Sequence, residues 1–223
     1  MNSLLDGKSV YAFGDSILYG HTQPEKSMLR LMAERYSWKL SIFAKNGATI
    51  LPSPNQILEQ IWTAPKIAPN FIIFDGYTND AYGPKESDPF NIKGAKPDVT
   101  ARYGFVQGRG AVFCQNTFCG AFETLIAAMK EKWPQTNIVY LTIHKSGGRD
   151  FSIQCRLHDL TIEMCNQWGV FVTDMFMDSN LDTRHTEMMR NYILGGSGSH
   201  PNENCCLKFY IPALTAKLSS LLR

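Results

Sequence analysis

Ser16 stands where the apolar run Val10-Tyr11-Ala12-Phe13 gives way, through Gly14-Asp15, to a new segment, the place where a first strand ends and a helix begins. Such a turn exposes a serine hydroxyl and sets helix N–H groups beside it, so Ser16 is a candidate nucleophile for acyl transfer. The position also suits a helix N-cap, and a Gly-Asp-Ser triplet arises by chance in about 5% of chains this long. The triplet therefore needs partners. Asn46-Gly47 reads as a turn after a second apolar run, with a glycine that permits positive φ and close approach of backbone to a ligand. Gly76-Tyr77-Thr78-Asn79-Asp80 follows a third run and puts the Asn79 amide, a hydrogen-bond donor, just past a strand end. His21, His144, His158, His185 and His200 are the imidazoles available as a general base near neutral pH.

Taken in this order, Gly14-Asp15-Ser16, Asn46-Gly47, Gly76-Tyr77-Thr78-Asn79-Asp80 and His200-Pro201 resemble the four blocks of the SGNH, or GDSL, hydrolase superfamily. The resemblance runs from Lys8 to the last helical pattern. It implies an α/β fold, a three-layer flavodoxin-like domain with a central parallel five-stranded sheet in the order 2-1-3-4-5, and a site at the carboxyl edge of strands one to three. It also implies the roles: Ser16 as nucleophile, His200 as base, and the Ser16 N–H, the Gly47 N–H and the Asn79 amide as an oxyanion hole. His200 is preferred for its His-Pro context near the chain's end, with His144, after the fourth strand, as runner-up.

One departure bears on activity. The family places an aspartate three residues before the histidine, where this chain has Ser197. Such an aspartate fixes the histidine tautomer and stabilises the imidazolium; Ser197 accepts a hydrogen bond but brings no charge. Three explanations stay open: a Ser-His dyad, a carboxylate supplied from elsewhere with Asp178 and Asp182 as the first candidates, or a protein that has lost most activity.

The elements that must position these residues alternate. Short β-type runs at Val10 to Phe13, Leu40 to Ala44, Phe71 to Phe74, Ile138 to Ile143 and Val170 to Thr173 are separated by helical patterns, which argues for βαβ units around a parallel sheet. Phe71-Ile72-Ile73-Phe74, apolar throughout, is expected as a central strand covered on both faces. Helical spacing appears over Glu25 to Tyr36, Gln56 to Trp62, Thr117 to Trp133, Ser152 to Trp168 and Asn202 to Leu222, with Phe122, Leu125, Ile126 and Met129 as a buried stripe. The stretch at about 82–110, rich in Gly, Pro, Lys and Asp, fits no element and is expected to border the site, with Phe90, Tyr103 and Phe105 as a sugar platform, an acyl pocket or loop packing.

At 223 residues and 44% hydrophobic content, one domain over 1–223 is expected. A net charge of +2 without a Lys/Arg cluster argues against nucleic acid, and no apolar stretch reaches the length of a membrane span. The opening residues lack a secretory signal, so a cytoplasmic address is expected, or a secreted one if a signal has been removed. The six cysteines match no zinc spacing and read as small buried hydrophobes; in Cys205-Cys206 a regular helix would bury at most one, leaving the other open to oxidation. The expected activity is a serine ester hydrolase acting through an acyl-enzyme on small acyl esters, acetylated carbohydrates included, with no cofactor and no metal. The alternative is a weak or silent module that binds a glycan or other ligand in the same cleft. A nucleotide binder ranks lower, because no Gly-rich phosphate loop follows the first strand.

Overall fold

The structure is a computed structural model that describes residues 3–81, 113, 115 and 117–222; the expected insertion at about 82–110 lies outside the described residues. Five strands, β1 (Ser9–Phe13), β2 (Lys39–Ile42), β3 (Phe71–Phe74), β4 (Asn137–Leu141) and β5 (Phe171–Thr173), form a parallel sheet in the order β2-β1-β3-β4-β5. The order expected from the sequence is the one observed. Every side chain of β3 is buried, as an apolar strand in the middle of a parallel sheet requires. Burying each such Phe or Ile contributes about 1.5–3 kcal/mol. The register pairs Phe13 with Phe74 and Phe74 with Tyr140, so the residues that follow β1 and β3 emerge side by side at one edge.

Helices cover both faces. α3 (Ile57–Thr63), α4 (Phe118–Lys132) and α5 (Phe151–Trp168) pack in succession, whereas α2 (Met28–Tyr36) packs with α8 (Ile211–Ser220). Phe122, Leu125, Ile126 and Met129 of α4 are all buried, as their spacing predicts. Capping fixes where the two long helices start: Thr117 accepts from Gly120 N at 3.2 Å and Asp150 from Ile153 N at 3.0 Å.

Three expectations are corrected. Pro24–Lys26 is a separate 3-10 turn and Ser27 is extended, so α2 starts only at Met28. α6 (Thr186–Tyr192) was not expected from the sequence: none of its residues is fully buried, and only Met188 and Tyr192 pack partly against the core. The last helical pattern is three pieces: α7 (Glu203–Cys205), a π-helical turn over Cys206–Tyr210, and α8. Pro212 has no N–H to return to the Lys208 carbonyl, and its ring would strike that carbonyl in a regular helix. The π turn, closed by Ile211 N donating to Cys206 O, widens the helix just before it. That widening leaves both Cys205 and Cys206 buried, contrary to the expectation of one exposed thiol. Among the described residues no helix is long and apolar enough to cross a membrane.

Candidate active site

α1 (Ser16–Tyr19) is a single turn, and its cap is Asp15, whose Oδ1 accepts from Ile17 N at 2.8 Å. Ser16 is therefore the first helical residue, not the cap, and capping does not consume its hydroxyl. Ser16 Oγ lies 2.9 Å from His200 Nε2, with the serine only 3% exposed. So short a helix carries little macrodipole, and the positive character expected at Ser16 reduces to the N–H groups themselves. Gly14 permits the turn: its φ is +149°, and a Cβ there would fall 1.6 Å from Asp75 Oδ1. The Asp75 carboxylate accepts from Asp15 N at 2.7 Å and Leu18 N at 3.2 Å, while the Gln60 amide bonds both the N–H and the carbonyl of Gly14. The nucleophile turn is thus held from β3 and α3. Burial pushes Asp15 up to about 6; Asp75 is raised well above the ordinary carboxylate range by burial and by the neighbouring Asp15 charge.

Asn46-Gly47 lies in the loop after β2, with Gly47 at φ +76°. Lys45 N donates to Gly14 O at 3.1 Å and Asn46 Nδ2 to His21 O at 3.4 Å, which ties this loop to the nucleophile turn. Asp80 secures the loop's far side by accepting from Ile50 N at 3.1 Å and Leu51 N at 3.0 Å, and burial pushes its carboxyl up to about 6. Among the described residues, neither the Ser16 N–H nor the Gly47 N–H has an acceptor. Asn79 is more engaged than the sequence suggests: its Nδ2 donates to Ala48 O at 2.7 Å and reaches Asp15 Oδ2 at 3.4 Å.

His200 meets Ser16 through Nε2 and Ser197 through Nδ1, the latter at 2.9 Å from Oγ. The tautomer that leaves the Nε2 lone pair for the Ser16 hydroxyl has Nδ1–H donating to Ser197. Ser197 Oγ also accepts from His200 N at 3.2 Å and Ser199 N at 3.4 Å. Neither Asp178 nor Asp182 bonds the ring. Asp182 pairs with Arg184, whose Nε lies 2.8 Å away, and Asp178 lines a groove between β5 and α8. One face of the ring lies flat on His21, with centroids 3.7 Å apart and planes 6° apart. Burial first, then the neighbouring His21, Arg149 and His144, lowers His200 to about 4, so the imidazole is neutral at neutral pH.

The loop that carries His200 is fastened in ways the sequence did not announce. Gly198, at φ +77°, packs backbone to backbone on the loop after β4: a Cβ there would lie 2.2 Å from Gly148 N. Its carbonyl accepts from Ser146 Oγ at 2.9 Å and Thr183 Oγ1 at 2.5 Å, and faces His144 Nε2 at 3.3 Å. His144, the runner-up base, is buried beneath this loop, bonded to Tyr210 Oη at 2.7 Å, and burial lowers it to about 4. It has no contact with Ser16. Beyond the ring, Pro201 bridges to Ile193 and Leu194 N donates to His200 O at 2.8 Å, so the end of α6 steadies the histidine. The glycine pairs Gly147-Gly148 and Gly195-Gly196 were the available signal.

A five-stranded parallel sheet in the order 2-1-3-4-5, flanked by helices, is the flavodoxin-like α/β fold of the SGNH hydrolases. The profile of the GDSL-like lipase/acylhydrolase family matches residues 12–204, and the chain belongs to that family. A search of curated proteins found no match. Among solved structures, a protein from Lactobacillus plantarum is similar at 19% identity and a TM-score of 0.72, with 97% of each chain covered. A member of the lipolytic G-D-S-L family from Veillonella parvula matches at 14% identity and a TM-score of 0.58, covering 93% of this chain and 95% of that one. A family two carbohydrate esterase from Clostridium thermocellum, solved with cellohexaose, matches at 14% and 0.61, covering 96% of this chain and 64% of its own. At these identities the likeness is one of fold.

Proposed function

We propose that this protein is a serine ester hydrolase that works through an acyl-enzyme on small acyl esters, acetylated carbohydrates among them. The observation that carries the proposal is the 2.9 Å contact between Ser16 Oγ and the neutral Nε2 of His200, on a turn whose capping is done by Asp15. His200 takes the hydroxyl proton as Ser16 Oγ attacks the ester carbonyl; the C–O double bond opens to an oxyanion. The Ser16 and Gly47 N–H groups, which have no other acceptor among the described residues, receive that charge. Asn79 joins them by exchanging its long contact to Asp15 for the oxyanion while keeping Ala48 O. The tetrahedral species collapses, His200 gives its proton to the departing alkoxide, and water repeats the sequence to release the acid and regenerate Ser16. The carbohydrate side of the proposal is supported only by the kinship in fold with a carbohydrate esterase.

A second reading is favoured by one observation: His200 has a serine at Nδ1 where charge would stabilise the imidazolium. In that reading the cleft binds an ester or glycan and turns it over slowly or not at all. Hydrolysis of p-nitrophenyl acetate by the protein and by Ser16→Ala, both checked for folding, separates the two. The esterase reading expects Ser16→Ala to lower turnover by at least about a thousandfold. Equal turnover in both proteins would reject Ser16 as the nucleophile; none in either across a panel of acetyl esters would reject the esterase in favour of the silent module.

A further inference from the structure

α1 ends after one turn because Gly20 and His21 are both left-handed, at φ +97° and +49°, and the His21 N–H closes back on Ser16 O at 3.0 Å. A left-handed backbone is unfavourable for a residue with a Cβ. His21 breaks a second local rule, since its Nδ1 is buried without a hydrogen-bond partner among the described residues. Two such violations at one residue beside a candidate nucleophile call for a compensating role. What the arrangement achieves is visible: the left-handed turn swings the imidazole back over the site until it lies on the His200 ring at 3.7 Å and 6°.

His200 lacks what usually fixes a catalytic imidazole. Its two in-plane partners, Ser16 and Ser197, are uncharged hydroxyls, and such bonds set the ring's position in its plane while resisting tilt out of that plane only weakly. Among the described residues, the charged and titratable groups that face it, Arg149, His144 and His21, include no carboxylate. We propose that His21 is a positioning residue for His200, its stacked face holding the ring in the plane that joins Ser16 to Ser197. This rests on the reading of His200 as the general base. Asn46, whose amide reaches the His21 carbonyl, links the stack to the loop that carries Gly47.

Two variants separate stacking from the ring nitrogen. His21→Asn accepts the left-handed backbone but cannot stack; His21→Phe stacks but carries no nitrogen. With p-nitrophenyl acetate, His21→Asn is expected to lower kcat about tenfold to a hundredfold with KM within about twofold, and His21→Phe to recover most of the loss. An NMR titration of the His200 ring reads the same contact without turnover. It is held at about 4 in the parent protein; opening the face to water in His21→Asn is expected to move it upward, and His21→Phe, which keeps the face covered but removes the His21 imidazole, to move it less. Unchanged kcat and an unchanged His200 titration in His21→Asn would overturn the proposal. So would a His21→Phe protein as impaired as His21→Asn, since the nitrogen and not the face would then be needed. A parent protein without esterase activity would refute the reading of His200 as a base in ester hydrolysis, and the titration alone would then decide whether the stack controls the ring.

Discussion

The molecule contains two histidines in opposite circumstances. His158, on α5, has a carboxylate at each nitrogen: Asp174 Oδ2 at 2.9 Å from Nε2 and Asp159 Oδ1 at 3.0 Å from Nδ1. Burial pulls its pKa down, but these two carboxylates outweigh burial and the net shift is upward. His200 has a hydroxyl at each nitrogen, and burial first, then the neighbouring His21, Arg149 and His144, takes it down to about 4. His158 has the charge that would steady an imidazolium and no free nitrogen with which to act as a base. His200 has a nitrogen ready to accept the Ser16 proton and, among the described residues, no carboxylate to steady the product. Readiness and strength as a base are thus separated in space, and the second ring shows what the first is missing.

Of the changes that act on this comparison, the largest effect is expected from giving His200 what His158 has. Ser197→Asp places a carboxylate where His200 N and Ser199 N already point at the serine Oγ, so the new group finds donors waiting beside Nδ1–H. At a pH where the ring is neutral in both proteins, kcat is expected to rise on the order of tenfold to a hundredfold. The acid limb of activity, which should fall near His200's value of about 4 in the parent, is expected to move up toward about 6.5. A lower kcat in the variant would break the comparison by showing that the hydroxyl arrangement is complete as it stands.

Why some of this was legible beforehand and some was not follows from which forces are local. β3 announces itself because Phe71 to Phe74 are apolar at every position, and the sheet order came with the resemblance. Ser16 and His200 could be paired from their motifs although 184 residues separate them. The hold of Asp75 on the nucleophile turn depended on the register that sets β3 beside β1, which no single segment contains. α6 left little trace because only Met188 and Tyr192 pack, partly, against the core. His21 left none: a histidine after a glycine carries no sign that both will turn left-handed, and its partner lies on a loop near the other end of the chain. Asp178 and Asp182 were chosen for lying after the fifth strand, but proximity to that sheet edge does not aim a carboxylate at a ring whose Nδ1 is already taken.

A smaller effect tests the other half of the comparison. In Asp174, Oδ1 accepts from Thr142 Oγ1, Phe176 N and Met177 N, whereas Oδ2 faces His158. Asp174→Asn can keep all the Oδ1 bonds and lose only the charge at His158. Because the folded protein raises His158 above its unfolded value, the pairing stabilises fully below that unfolded value, about 6.5, and fades as pH rises through the folded one. Urea unfolding is therefore expected to show a loss of about 1 kcal/mol near pH 5.5 and little near pH 8.5, with esterase turnover unchanged. An equal loss at both pH values would show that the ion pair does not account for His158's stability contribution.

The smallest effect is expected from the carboxylates that the sequence offered to His200. Asp182 is held by Arg184, whose guanidinium lies 3.7 Å from the Phe151 ring centroid, and the opposed charges cancel much of the field either would exert at a distance. Asp178 faces the groove between β5 and α8, away from the hydroxyls that bond His200. Asp178→Asn and Asp182→Asn are each expected to leave kcat within about twofold, since a carboxylate stabilises an imidazolium strongly only in contact. A tenfold fall in Asp182→Asn would have a physical route: Thr183, the next residue, bonds the Gly198 carbonyl beneath the His200 loop. Rescue of that fall by Ser197→Asp would mean the missing charge had been acting at His200. Failure of the rescue would place the damage in the loop's footing, leaving contact with the ring as the property that distinguishes His158 from His200.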